Sequence, residues 1–146
     1  MEIKVTNFIL ADHFASPNTP HRLEFIFPSL QEFKKLKVPT NTAYNIIKSI
    51  GVVEKVLKEY NDTRVMICES LCEKDEKGNP KVENNKYVFT KENQNEFNNK
   101  WTDLLNTEIN LDIWQINQSD LSHIKEMNIT CYETLLKYGF IKEDTK

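Results

Sequence analysis

Ala43, Ile46, Ile50, Val53, Leu57, Tyr60, Arg64, Ile67 and Leu71 recur at alternating spacings of three and four residues. That is the period of a helix that buries one stripe along its length, and Arg64 is the one charged position in it. The stripe predicts a helix from Thr42 to near Glu73, about 30 residues against a usual mean of about 11–12. Thr40 or Asn41 is its expected cap and Gly51 its weak point. A one-sided stripe of this extent has to lie against another element for much of its length.

The residues that follow supply such an element. Lys74-Asp75-Glu76-Lys77-Gly78-Asn79-Pro80 is turn chemistry, because Gly accepts positive φ and Pro does not continue a helix. Val82, Tyr87, Val88 and Phe89 flank Asn84-Asn85, which predicts a small β-hairpin or β-arm. Thr90 caps a second helix over about residues 91–106, with Phe97, Trp101, Leu104 and Leu105 on one face. The two helices are expected to form an antiparallel αα-hairpin joined by the β-arm.

The termini carry weaker signals. Ile3, Val5, Phe8 and Leu10 suggest a first strand, and Leu23-Glu24-Phe25-Ile26-Phe27 a second, bounded by Pro20 and Pro28. Residues 11–22 between them read as a loop. Ser29-Leu30-Gln31-Glu32 has capping-box spacing and opens a short helix to about Leu36, stopped by Val38-Pro39. The alternation of Ile109, Leu111 and Ile113 with Asn110 and Asp112 makes 108–116 the clearest strand, with either the N-terminal strands or Tyr87–Phe89 as neighbour. Ser119-Asp120 opens a helical turn, Thr130-Cys131-Tyr132-Glu133 repeats the capping box, and Gly139 stops the helix it starts. Residues 142–146 read as a frayed tail. The expected class is α+β in a single domain, 1–146. It comprises a strand-loop-strand at 1–28, a helical hairpin at 29–106 with its β-arm at 74–90, and a strand with short helices at 107–146.

Composition narrows the function classes. Nineteen Lys and Arg against 22 Asp and Glu leave a formal charge of -3, with the Lys residues spread along the chain. Duplex nucleic acid is an unfavourable partner for such a surface, since that binding begins with concentrated positive charge. No apolar run reaches the length that crosses a bilayer. Met1–Thr6 lacks the basic segment and apolar run of a secretory signal, so a cytoplasmic location and no membrane partner are expected. Cys68, Cys72 and Cys131 are odd in number, and reduced thiols fit that compartment.

Catalysis and cofactor binding leave recognisable spacings, and none is present. There is no Gly-rich phosphate loop, no G-x-S-x-G elbow and no H-E-x-x-H helix; neither an enzyme nor a cofactor is expected. Cys68 and Cys72 place two thiols on one helical face, yet no further Cys or His pair completes a zinc set, which favours packing residues. His13 and His21 fall in the N-terminal loop and His123 in a polar segment, without ligand spacing. Glu73, Asp75 and Glu76 interleave with lysines and lack the ligand order of a calcium loop.

Four residues carry the remaining interest. Arg64 is either a register-setting or partner-binding group in the seam, or marks a seam that ends near Tyr60 as the helix emerges into solvent. Trp114 sits on the polar side of its strand, where an exposed anchor for a protein interface and a strand buried on both faces explain it equally. Tyr60 and Arg22 join them as residue types suited to an interface pocket.

Lys37-Val38-Pro39-Thr40-Asn41-Thr42-Ala43-Tyr44, then Glu73 through Pro80, Glu96-Phe97-Asn98 and Leu104-Leu105-Asn106-Thr107-Glu108, resemble a family of small uncharacterised proteins encoded by phages and prophages of Gram-positive bacteria. The resemblance implies a phage origin, a host bacterial cytoplasm as the location and an α+β fold, and it brings no catalytic residues. The expected function is that of a phage accessory protein that binds a host or phage protein, most concretely an inhibitor of a host defence system. A virion or assembly component that self-associates is an alternative. So is an oligomeric sponge that sequesters a nucleotide signal.

Overall fold

Glu2–Thr6 and Glu108–Asp112 lie at opposite ends of the sequence and pair as antiparallel strands, β1 and β4, in the computed structural model, which describes residues 1–10 and 22–144. The chain divides into two compact units, Met1–Leu57 with Glu108–Lys146, and Lys58–Thr107. The division falls within one continuous helix, α3, Thr40–Leu71. The mixed α+β class expected from the sequence is what the molecule has.

In the first unit the β1–β4 register sets Ile3 opposite Leu111 and Val5 opposite Ile109, so the alternating apolar residues share one face. Val5 and Leu111 are buried there with Ile46, Ile50 and Val53 of α3. The Phe8 and Leu10 positions are not strand: Asn7–Leu10 turns into a single helical turn, α1. Leu23–Phe27 is not strand either. A 3₁₀ turn at Arg22–Glu24 leads into helix α2, Ile26–Phe33, whose buried Ile26, Leu30 and Phe33 follow helical spacing. Pro28, which reads as a strand boundary, sits in the first turn of α2, where a missing N–H removes no helical bond. Ser29 is therefore inside the helix rather than at its cap. Its hydroxyl donates toward the carbonyls of Leu23 and Phe25, 2.8 Å from each.

The C-terminal helix α5, Ile129–Lys137, is capped by Asn128, whose side chain accepts from Cys131 N at 3.0 Å, not by Thr130. It packs on α2, with Cys131 Sγ donating to the Ser29 carbonyl and Thr134 Oγ1 to that of Leu23. Gly139 ends it at φ 87°. The Phe140 amide reaches back to Leu135 O and the Gly139 amide to Leu136 O, the paired bonds of a Schellman ending. Ile141–Lys142 is a strand, β6, in parallel register with Ile116–Asn117, β5, so Lys142 is paired where a tail was expected. A 3₁₀ turn, Gln118–Leu121, follows β5 as expected at Ser119-Asp120.

The second unit follows the sequence closely. Gly78 has φ 80°, and Asp75 Oδ1 accepts from the amides of Lys77 and Asn79 to close the turn. Val82–Glu83 (β2) and Lys86–Tyr87 (β3) pair across Asn84 and Asn85, both at positive φ, the backbone of a type I′ hairpin. Thr90 caps α4, Lys91–Asn106. Asn93 Nδ2 bonds Leu71 O and Trp101 Nε1 bonds Tyr60 OH at 2.7 Å, so α4 runs antiparallel to the end of α3. Phe97 stacks between Phe89 and Trp101, its ring centre 5.2 and 6.1 Å from theirs.

The seam does not end at Tyr60. Tyr60, Cys68 and Cys72 are buried with Arg64 half-buried among them, whereas Ile67 and Leu71 are only partly covered. Past Leu57 the covered line advances four residues at a time, and at 3.6 residues per turn each such step turns it about 40° around the helix.

Candidate interaction surface

Trp114 follows β4, in the segment that crosses α3. Ser49, buried on α3, holds that segment from both sides: its Oγ donates to Trp114 O at 3.1 Å and accepts from Trp114 N at 3.0 Å. One turn earlier Asn45 Nδ2 donates to Gln115 O at 3.1 Å. The backbone is fixed while the indole projects outward, 46% exposed. Tyr44, 52% exposed, meets it edge to face, with ring centres 5.9 Å apart and planes at 89°, the geometry that aromatic quadrupoles favour. Lys48 Nζ stands 5.4 Å from the Tyr44 ring centre and 6.0 Å from that of Trp114, within cation–π range. Ile47, half exposed, extends the apolar surface along the helix. Beside the indole lies a shallow groove of about 290 Å³ lined by Met1, Asn45, Asp112, Ile113 and Gln115.

Of the four sequence candidates, Trp114 is the one on this surface. Arg22, in the first unit, lies in the 3₁₀ turn before α2 and does not line the groove. Tyr60 and Arg64 lie together in the second unit; burial raises the Tyr60 hydroxyl pKa, and the Trp101 hydrogen bond and Arg64 charge oppose that rise. Tyr44, Ile47 and Lys48 escaped the sequence reading, although two apolar residues at i,i+3 on the polar side of an amphipathic helix are a signal. Ser49 gave none, since only the fold brings Trp114 to it.

The cysteines are packed: Cys68, Cys72 and Cys131 are all buried. Burial pushes the Cys131 thiol up to about 12 and raises that of Cys68 as well, which holds both as neutral thiols at physiological pH. Among the described residues no three His, Cys, Asp or Glu side chains are grouped to hold a metal. His123 bonds Lys37 O, while His13 and His21, with the expected loop around them, lie outside the described residues. No helix among the described residues is long and apolar enough to cross a membrane. No family model, curated protein or solved structure matches the chain.

Proposed function

We propose that this chain is a non-enzymatic accessory protein of phage origin that acts by binding another protein through the Tyr44–Trp114 surface, most concretely to inhibit a host defence system. The exposed aromatic pair, with the Trp114 backbone held by Ser49, carries the reading. Trp and Tyr dominate the energetics of protein interfaces because they bury much area at little conformational cost. A backbone fixed before encounter lowers that cost further. Lys48, beside both rings, calls for a carboxylate or carbonyl opposite it on the partner, set within an apolar cleft. The phage origin rests on the resemblance carried by Lys37–Tyr44 and the turn at Glu73–Pro80.

Affinity capture from an infected Gram-positive host, run in parallel with wild type and Trp114→Ala, tests the proposal. A defence protein enriched by the wild type and lost from the variant, with unchanged circular dichroism, supports it. Equal recovery by both proteins, or a co-purifying nucleotide with no protein partner, contradicts it.

A further inference from the structure

Gly51 is helical, exposed and near the middle of α3, and a Cβ built on it meets nothing within 4 Å. Among the described residues neither backbone conformation nor packing requires glycine there, and glycine is the poorest ordinary residue for a helix interior. What glycine does provide is close approach of another backbone. Around it the exposed face holds Tyr44, Ile47 and Lys48 before, and Glu54 and Lys55 after. At about 100° per residue, Tyr44, Lys48 and Lys55 fall on one flank of the Gly51 line and Ile47 and Glu54 on the other.

We infer that this face binds the same face of a second copy of the chain, the two α3 helices crossing in parallel at Gly51. Charge selects both the partner and the direction. About a two-fold axis parallel to the helices, the lysine flank of each copy meets the Ile47–Glu54 flank of the other. Lys55 then lies about 1.5 Å along the axis from Glu54 of the second copy, and symmetry repeats the pair. Tyr44 faces the apolar Ile47 of the second copy. An antiparallel crossing brings Lys48 beside Lys55 of the second copy, like charge against like, and is disfavoured. Among the described residues the ion pair that α3 makes joins Lys58 and Asp62, and Glu54 and Lys55 are not engaged in it. The absent side chain at Gly51 lets the helices approach closely enough for these flanks to meet.

The inference rests on the reading that this protein works by protein binding, and it names a second copy as one partner. Sedimentation equilibrium of the full chain across micromolar to submillimolar concentrations tests it. The expected result is a wild-type dimer that Glu54→Lys and Lys55→Glu each weaken about tenfold or more, and that the two exchanges together restore. Gly51→Gln is expected to weaken the dimer while raising the Tm of the monomer, since glutamine is the better helix former. A wild type that stays monomeric throughout overturns the inference, as does a charge-exchanged double variant that stays monomeric with native circular dichroism. So does a dimer that Gly51→Gln leaves unchanged. A monomeric wild type whose capture of a host protein still depends on Trp114 removes the dimer and leaves the protein-binding reading standing.

Discussion

Ser49 and Trp114 touch, yet their substitutions are expected to act very differently on stability. The Ser49 hydroxyl is buried and makes two hydrogen bonds to the Trp114 backbone, so Ser49→Ala strips both and is expected to cost about 1–3 kcal/mol in urea unfolding. Trp114→Ala removes a side chain already half in solvent, and the expected stability change is within about 1 kcal/mol. Gly139→Ala combines two penalties, a residue at φ 87° and a Cβ 3.3 Å from Ile3 Cγ2, and should destabilise by about 1–2 kcal/mol. Cys131 gives a pH signature. Its thiol is pushed up to about 12 in the fold, whereas an unfolded thiol ionises near about 8.5. The neutral thiol favours the fold fully below the unfolded pKa, and that contribution falls as pH rises toward the folded pKa, by at most about 1.4 kcal/mol per pH unit. The gap between wild-type and Cys131→Ala urea midpoints is therefore expected to narrow between about pH 8 and pH 11. A constant gap would show that the thiol ionises equally in both states.

At the scale of elements, local chemistry was legible and distant packing was not. The turn at Gly78, the Asn84-Asn85 hairpin, the Thr90 cap and the Gly139 stop each depend on residues within a few positions, and each formed as read. The hairpin yields a further prediction: Asn85→Gly keeps the positive φ of a type I′ turn without strain. It should slow hydrogen exchange at the β2–β3 amides, whereas Asn84→Val should speed it. The misread elements are those whose partners are far away in sequence. Leu23–Phe27 is too short an apolar run for its period to separate strand from helix. The choice is made by α5, whose Thr134 and Cys131 bond the carbonyls of Leu23 and Ser29 across more than 100 residues. The capping-box spacing at Ser29 and Thr130 misled for a related reason: Ser29 turned inward to bond carbonyls, and Asn128 supplied the better acceptor at the helix start. The surface was half legible for the same cause. Trp114 stood out against the alternation of its strand, but its pairing with Tyr44 and Lys48 exists only once β4 has been laid beside β1 and the following segment carried onto α3.

For the molecule as a whole, the long seam has internal partners in each unit. Ile46, Ile50 and Val53 belong to the core that the β1–β4 sheet, α2 and α5 build, and Tyr60 is bonded to α4. The seam is thus the scaffold of the fold, and the stripe behind it, with Tyr44, Ile47, Lys48 and Gly51, is the side turned to solvent. The central claim is that this outer face is the working surface. Site-specific photo-crosslinking in infected cells tests it most directly, with a benzophenone side chain placed in turn at Tyr44, at Ile47 and, as a control, at Asn110 on the outer face of the β1–β4 sheet. Discrete protein adducts from positions 44 and 47 with none from 110 are the result expected; adducts that form equally from all three positions, or from none, would contradict it.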